Sequence, residues 1–225
     1  MKYVLGLDIG IASVGWAILD PESKRIVDLG VRAFSAAEVP KNKAPLAEPR
    51  RLARSARRTI RRRAGRMRRV KELCVQHGLI PQDRIEAAFL TARDKPDPWQ
   101  LRKEGLDRLL SGEEFARVLF HIAKRRGFKS NRKKAVDKEE GEMLECIQQN
   151  RQLLAERGYR TVGEMMYMDE AFREHRRNKA DSYKNTVDRS MLEDEIAVLF
   201  ASQRRLGNPH ASEELEGTYL QVFRW

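Results

Sequence analysis

The first forty residues have the hydrophobic pattern of β-strands. Residues 3–9 form an almost unbroken apolar run, which is typical of a strand covered on both faces. Two further apolar segments follow at residues 14–19 and 26–34, and the intervening Pro-Glu-Ser-Lys at 21–24 is typical of a turn. This pattern predicts an antiparallel meander. Because three strands alone rarely form a stable unit, we expect the meander to begin a larger sheet.

The pattern changes to that of α-helices after a proline-containing connector at residues 35–49. From position 50 onward, apolar residues recur at three-, four- and seven-residue spacing and form one narrow stripe: Leu52, Ala56, Ile60, Met67, Val70 and Cys74. Further helices are predicted at residues 98–110, 112–126, 140–157, 162–168 and 190–206. Their starts are indicated by capping pairs: Asp97 with Gln100, Ser111 with Glu114, Thr161 with Glu164, and Ser190 with Glu193. The predicted fold class is therefore α+β.

The composition indicates the kind of binding partner and excludes several classes of protein. A net charge of +12 on 225 residues indicates a polyanionic partner, either a nucleic acid or an anionic membrane surface. The longest stretch without a charged residue, 9–19, is shorter than the about 20 residues that a membrane span needs. The N-terminus lacks the pattern of a signal peptide, and Cys74 and Cys146 lack the spacing of a zinc site or a disulfide framework. We therefore expect a cytoplasmic protein without a membrane segment.

The positive charge is concentrated in one segment. Outside residues 50–71, basic and acidic residues are equal in number, and inside it there is no acid. Arginine can donate two hydrogen bonds to one phosphate and stack on bases, so we expect a helix surrounded by folded RNA. A helix on a membrane surface would need large apolar anchors, and the stripe contains no aromatic residue. The predicted RNA-binding residues here are Arg50, Arg51, Arg54, Arg57, Arg58, Arg61, Arg62, Arg63, Arg66, Arg68, Arg69 and Lys71.

A second basic cluster occupies residues 121–134. Its candidate RNA-binding residues are Lys124, Arg125, Arg126, Lys129, Asn131, Arg132 and Lys133. Gly127 should end the preceding helix, and cations near a helix C-terminus are favoured by the helix dipole in any case. The Gly-Phe pair followed by Ser and Asn favours a further role, as a loop with a stacking ring and amide donors for a nucleic-acid backbone.

A lone carboxylate stands in the first strand, within the pattern G-x-D-x-G-x-x-S-x-G at residues 6–15. Gly6 and Asp8 share a strand face, which leaves room beside the carboxylate for a phosphate backbone and a divalent ion. A carboxylate in an apolar run is expected to have a metal ion or a cation as its partner. One Asp cannot hold the two ions of a phosphoryl-transfer site, so the remaining ligands must lie outside these residues. Sugar kinases and actin-like ATPases begin similarly, but they continue as α/β domains.

The order of these segments closely resembles the N-terminus of the type II CRISPR effector nucleases (CRISPR-associated protein nine), compact II-C branch. The segments that show the resemblance are residues 2–17, 28–32, 50–58, 99–102, 121–133, 159–165 and 200–209. It implies that residues 1–45 are the first segment of an RNase H-like (RuvC) nuclease domain, with Asp8 as a catalytic, metal-binding carboxylate. It implies that residues 46–75 are the arginine-rich bridge helix and that residues 76–225 begin an α-helical recognition lobe.

The family resemblance also implies partners and an activity. The complete protein would be an RNA-guided DNA endonuclease of the prokaryotic cytoplasm, whose RuvC site uses Mg²⁺ or Mn²⁺ to cut the non-target strand. Its partners would be a guide RNA (crRNA:tracrRNA or a single guide), target DNA and the rest of the nuclease polypeptide, with an anti-CRISPR inhibitor as a further candidate. The later RuvC segments, the HNH domain and the PAM-reading domain are absent, so we expect a truncated piece that binds RNA and cleaves nothing.

Two other functions stay open at this stage. One is an RNA-binding module in which Asp8 is only a structural carboxylate, and the other is a fragment of an actin-like kinase. Residues 185–189 could contact RNA or could form a capping loop. The four histidines have no metal-site spacing, so a structural or RNA-contact role is expected for His77, His121, His175 and His210.

Overall fold

The N-terminal strands form a three-stranded antiparallel sheet in the computed structural model, which describes residues 2–39, 41–89, 95–129, 138–178 and 182–225. The strands β1 (Val4–Ile9), β2 (Ser13–Asp20) and β3 (Arg25–Ala33) lie side by side in chain order. Trp16 pairs with Gly30, and a Cβ atom on Gly30 would lie 2.7 Å from the Trp16 ring, so the indole requires a glycine there. The meander predicted from the sequence is confirmed.

The sheet has no apolar cover among the described residues. Every residue of β1 is exposed, and so are the large apolar side chains of β3. Because β1 is open to solvent, the expectation that the meander begins a larger sheet remains a prediction. Residues 1–61 and 62–225 form two compact units, and the division falls inside the first helix. The predicted domain boundaries at 45 and 75 remain predictions.

The rest of the chain is helical. Eight α-helices are described: α1 (Glu48–Gln76), α2 (Ile85–Phe89), α3 (Pro98–Glu104), α4 (Gly112–Lys124), α5 (Lys138–Glu156), α6 (Val162–Met168), α7 (Arg189–Arg205) and α8 (Glu213–Arg224). Short 3-10 turns lie at Gln82–Arg84 and Glu170–Phe172. The α+β class is confirmed. The hydrophobic pattern predicted no helix at α2 and no start for α8, although Ser212 caps α8 and three glutamates follow in its first turn.

Of the four predicted capping boxes only the one at Ser111 is complete, because the Glu164 side chain accepts the N–H of Arg160 instead of that of Thr161. Ser111 forms the full capping box with Glu114, and the Thr161 hydroxyl accepts from the Glu164 N–H. Asp97 caps α3 as predicted, but the Gln100 side chain donates to Glu104 instead of closing a box. Helix α7 begins one residue early, because Asp188 rather than Ser190 accepts the first free N–H.

Helix α3 ends six residues before the predicted position 110. Beyond Glu104 the backbone forms hydrogen bonds with the amide of Gln203, a side chain of α7 that is fully buried. Its Nε2 donates to the carbonyls of Gly105 and Arg108, and its Oε1 accepts from the N–H of Leu110. These bonds satisfy the non-helical backbone in the interior, which is the requirement for any buried peptide group.

The core of the helical unit contains a row of aromatic rings. Phe115, Phe200, Tyr219 and Phe223 follow one another with ring centroids 5.1 to 6.4 Å apart. The Tyr219 hydroxyl donates to the carbonyl of Leu119 at 2.7 Å, so its polar atom is satisfied in the interior. This core holds the C-terminal part of α1 and the end of α4, where the candidate site lies.

Candidate nucleic-acid interface

The N-terminal part of α1 is exposed on all sides. Every residue from 48 to 64 is exposed, including the apolar Leu52 and Ile60, whose exposed fractions are 64% and 67%. The predicted stripe is therefore buried only in the second half of the helix, where Val70, Leu73 and Cys74 enter the core. The exposed arginines of the predicted set are Arg50, Arg51, Arg54, Arg57, Arg58, Arg61, Arg62, Arg63, Arg68 and Arg69.

Three cations of α1 have partners on other elements, and Arg68 pairs with Glu72 within the helix at 3.6 Å. Arg66 is only 5% exposed, and its Nε donates to the carbonyl of Ala123 at 3.1 Å. Lys71 forms an ion pair with Glu86 at 2.7 Å. The Arg69 guanidinium lies 4.0 Å from the centroid of the Trp225 ring. These contacts fix the orientation of α1 relative to α2, α4 and α8.

A cleft of about 440 Å³ lies beside this half of α1. It is lined by cations from separate elements, and also by amide and hydroxyl groups of the segments around 178 and 185. Its basic side chains are Arg63, Arg66, Arg102, Lys124, Arg125, Arg126, Arg176 and Arg177. The structure therefore brings Arg63 and Arg66 of the first basic cluster next to Lys124, Arg125 and Arg126 of the second.

Arg102 and Arg176 of the cleft pair with Glu195 and Asp97, whereas Arg125 and Arg126 lie among other cations. Burial and the nearby Arg177, Arg102 and Arg63 lower the pKa of Arg125 to about 10. Burial, with Arg66 and Arg189 close by, lowers the pKa of Arg126 to about 10 as well. Both groups remain protonated at neutral pH, so the repulsion between these cations, which adds to the effect of burial on the pKa, is present in the free protein. An anion placed in the cleft would relieve it.

The end of α4 is held by backbone contacts with the start of α7. Gly127 has a φ of +71°, and a Cβ atom there would lie 2.8 Å from the Val187 carbonyl oxygen, so a larger residue would not fit. The Phe128 N–H donates to the Val187 carbonyl, and its own carbonyl accepts from the Arg189 N–H. Gly127 follows the helix end as predicted. Phe128 is half-buried, and Lys129 is exposed.

The predicted residues Asn131, Arg132 and Lys133 lie outside the described residues.

A network of side-chain amides shapes the opposite edge of the cleft. The buried Asn150 of α5 donates to the carbonyls of both Lys184 and Thr186 at 2.8 Å. Asn178 accepts from the Asn185 N–H and donates to the Thr186 hydroxyl. Of the two roles considered for residues 185–189, the structure shows Asp188 capping α7 and also places Asn185, Thr186 and Val187 in the cleft lining.

A buried ion pair supports the floor of the cleft. Arg102 and Glu195 are each 1% exposed and are joined by two hydrogen bonds of 2.6 Å. Glu195 also accepts the N–H of Gly163 at 2.9 Å. The Arg102 guanidinium lies 4.3 Å from the Trp99 ring centroid and 3.4 Å from Nδ1 of His121. Burial first, and then the charge of Arg102, lower the pKa of His121 well below its ordinary value, so the imidazole is neutral at pH 7.

The structure adds basic residues to the interface that the sequence patterns did not single out. Arg102 and the Arg176–Arg177 pair belong to different parts of the chain, and they join the cleft only through the packing of α3 and α6. The doublet Arg176–Arg177 could have been noticed as a local basic pair. Arg102 lies in the segment 99–102 that shows the family resemblance, but no charge pattern marks it, because its neighbours in sequence have the pattern of an ordinary amphipathic helix.

Asp8 lies on the sheet, in the other compact unit. It is exposed rather than buried, and its cross-strand partner is Gly15. With Gly6 beside it, the carboxylate borders a depression of about 420 Å³ in which small residues leave open space. Asp8 therefore fits as one ligand of a divalent ion. The described residues contain no group of three or more His, Cys, Asp or Glu side chains that could complete such a site.

No helix within the described ranges combines the length and the apolar character that a membrane crossing requires.

The chain is similar over its length to parts of known proteins. It is 39% identical over 220 residues to the CRISPR-associated endonuclease Cas9 of Campylobacter jejuni, a match that covers 92% of this chain and 22% of that protein. It is 40% identical over 126 residues to Cas9 of Staphylococcus aureus, which covers 56% of this chain and 11% of that protein. The chain thus spans about a fifth or less of the length of these curated relatives. No family model matches it.

Solved structures show the same fold. The crystal structure of Campylobacter jejuni Cas9 in complex with sgRNA and target DNA matches with a TM-score of 0.68 and 33% identity, over 100% of this chain and 30% of that one. A cryo-EM structure of an St1Cas9–sgRNA–tDNA20–AcrIIA6 assembly matches with a TM-score of 0.63 and 27% identity, over 99% of this chain and 25% of that one.

Proposed function

Because the chain belongs to the Cas9 family of CRISPR-associated endonucleases, we propose that it forms the N-terminal part of an RNA-guided DNA endonuclease. In this proposal α1 is the arginine-rich bridge helix, the helices after it begin the recognition lobe, and the sheet is the first segment of a RuvC-like nuclease domain. The cation cleft and the exposed arginines of α1 bind the guide RNA, and the guide–target hybrid lies along the same surface.

The cleft is the observation that supports RNA binding best. It gathers basic side chains from α1, α4 and the segment at 176–177 above the buried Arg102–Glu195 pair, and the described residues that line it include no acid. Planar guanidinium groups bind phosphate oxygens with two hydrogen bonds, and the amide groups at Asn178 and Asn185 are suited to phosphate or ribose oxygens. Folding has gathered charges that repel one another, and binding of a phosphodiester backbone would offset that repulsion.

For catalysis, Asp8 supplies one ligand of a divalent metal site in the proposed nuclease domain. Its open, glycine-flanked position lets a phosphate group approach closely. Mg²⁺ or Mn²⁺ bound there would activate the attacking water and stabilise the leaving oxygen of the non-target DNA strand, with the other ligands supplied from outside this chain. In the complete enzyme, Asp8→Ala should abolish non-target cutting and leave guide RNA binding unchanged. Intact non-target cutting would favour an RNA-binding role without catalysis.

The RNA-binding proposal can be tested with two variants that lose the same number of positive charges at different places on the protein. In the first variant, Arg57, Arg58, Arg61 and Arg62 of α1 are replaced by Ala. In the matched control, four exposed arginines outside α1 and the cleft are replaced: Arg84, Arg157, Arg173 and Arg205. Guide RNA affinity is measured by fluorescence anisotropy across a salt series for both variants and the unchanged chain.

We expect the α1 variant to lose affinity at least tenfold. Its plot of log affinity against log salt should become shallower by about 0.7 to 0.9 for each phosphate that the variant no longer neutralises. The control variant should behave like the unchanged chain. If both variants weaken RNA binding equally, the effect reflects net charge alone and α1 is not the contact surface.

A further inference from the structure

A smaller pocket of about 120 Å³ adjoins the cation cleft. Its apolar wall includes two phenylalanine rings, Phe89 of α2 and Phe120 of α4, whose centroids are 4.4 Å apart with an angle of 30° between the planes. Both rings are half-buried. Part of each aromatic ring therefore faces solvent in the pocket instead of being enclosed in the core.

The same pocket has a polar group in its wall. His121 lines it, and its Nδ1 lies 3.4 Å from a terminal nitrogen of Arg102. Because a guanidinium group can only donate, Nδ1 is the acceptor in this contact, and the proton of the neutral imidazole is on Nε2. Trp99 packs edge-on against the imidazole at 4.7 Å and fixes its plane. His121 thus offers a hydrogen-bond donor of fixed orientation beside the two aromatic rings.

The pocket and the cleft share three cations. Lys124, Arg125 and Arg177 line both of them. A ligand with an anionic group in the cleft could therefore place an attached ring in the pocket without leaving the basic surface. The volume is close to that of an apolar protein cavity of about 150 Å³ that holds benzene, so one six-membered ring fits.

We propose that this pocket binds one nucleobase of the RNA strand whose backbone lies in the cation cleft. The inference rests on the proposed function, because it takes the phosphate contacts of the cleft as given. The base stacks on the ring of Phe120, and its edge accepts a hydrogen bond from His121. A base bound in this way is not stacked on its neighbouring bases. Its binding therefore fixes which nucleotide of the RNA lies at the pocket. Stacking on a protein ring strengthens binding by about tenfold or more per base.

The experiment compares two RNA probes on the 225-residue chain. One is a uridine 12-mer, and the other is an abasic 12-mer with the same ribose-phosphate backbone. The dissociation constants of both are measured for the unchanged chain, for Phe120→Leu and for Phe34→Leu. The last is a matched control, because Phe34 is an exposed ring outside the helical unit. Leucine keeps the apolar character and removes the stacking face.

In the unchanged chain we expect the uridine strand to bind at least tenfold more tightly than the abasic strand. Phe120→Leu should remove most of this ratio while leaving abasic binding unchanged, and Phe34→Leu should preserve the ratio. Phe89→Leu serves as a second variant if Phe120→Leu fails to fold by circular dichroism.

The outcomes separate the two proposals. If the uridine and abasic strands both fail to bind the unchanged chain, the RNA-binding function itself is wrong. If both bind and Phe120→Leu leaves their ratio unchanged, the pocket holds no base and only this inference is overturned. An equal loss of affinity for both strands in Phe120→Leu would overturn it too, because the ring would then only support the cleft.

Discussion

The buried pair of Arg102 and Glu195 links three helices beneath the cleft. Arg102 belongs to α3 and Glu195 to α7, and the carboxylate also accepts the first free N–H of α6 at Gly163. Removing one partner of such a pair leaves an uncompensated buried charge, which commonly costs about 3–5 kcal/mol. The pair therefore fixes the positions of Arg102 and Trp99. Both residues line the cleft, so the pair also supports the shape of the cleft.

Gly163 allows this contact because it has no side chain. A Cβ atom there would lie 2.6 Å from a carboxylate oxygen of Glu195 and 2.7 Å from Cβ of Arg102. We expect Gly163→Ala to lower the free energy of unfolding by about 1–3 kcal/mol, since the ion pair must shift. Gly217→Ala is the control, because an added Cβ meets nothing within 4 Å on α8 and should raise stability by about 0.5–1 kcal/mol. Urea unfolding measures both. Equal effects would contradict the close packing at Gly163.

His121 makes stability depend on pH. Its pKa in the folded protein lies well below the ordinary value of 6.5, chiefly because of burial, so below pH 6.5 the unfolded chain binds a proton that the folded chain does not. Stability is therefore complete above this pH and falls as the pH decreases, by up to about 1.4 kcal/mol between pH 7.5 and 5.5. The carboxylates with lowered pKa values, such as Glu114, affect stability only at more acidic pH, below their ordinary value of 4.5.

Urea unfolding at both pH values tests this prediction. His121→Asn should remove most of the pH dependence, whereas His175→Asn, at an exposed histidine, should retain it. The explanation is wrong if the two variants show the same slope.

At the scale of elements, α1 consists of two physically different halves. The half before Gly65 is exposed all round and contains clustered like charges without an acid to offset them after Glu48. Neighbouring charges three and four residues apart destabilise an isolated helix. The second half is held by Val70, Leu73 and Cys74 in the core. One helix thus combines a part that is anchored in the core with a part that the core does not support.

This difference predicts a gradient in amide hydrogen exchange along α1. Without RNA, amides at residues 50–61 should exchange rapidly, while those at 67–74 should be protected by the packing of the core. Guide RNA should slow exchange strongly in the first segment and little in the second. Mass spectrometry of peptides from the two segments measures both rates. Equal protection of both segments before RNA is added would contradict the division of α1 into two halves.

The elements themselves were largely predictable from local patterns. Helix α6 was predicted with the observed bounds, because Thr161 and Glu164 mark its start and the apolar spacing marks its face. Helix α3 was predicted too long, since the interior hydrogen bonds of Gln203 that replace its last turn involve a residue about a hundred positions away. Local sequence patterns predict helix caps and the buried face of a helix, but they do not predict hydrogen bonds to a residue that is distant in the sequence.

At the scale of the whole molecule, the proposed metal site has only one carboxylate, Asp8, among the described residues, although a phosphoryl-transfer site needs several ligands. Asp8 is the acid of the glycine-flanked strand, and no cluster of three metal-binding side chains occurs in the described residues. With Mg²⁺, guide RNA and target DNA, we therefore expect this chain to bind RNA and to leave the DNA uncut on a denaturing gel. Sustained cleavage in the absence of any other polypeptide would show that the metal site is complete within these residues.

The sequence by itself determined the meander, the arginine helix and most helix starts, because each depends on residues close together in the chain. It also determined the likeness to the nuclease family, which depends on the order of short motifs along the chain. Only the tertiary structure decided which cations share a cleft, that Arg66 is buried against α4, and that Phe89 and Phe120 form a pocket beside the cleft. It also showed that Asp8 is exposed. These features depend on the packing of distant segments, and hydrophobic periodicity specifies which face of a helix is buried without specifying what that face meets.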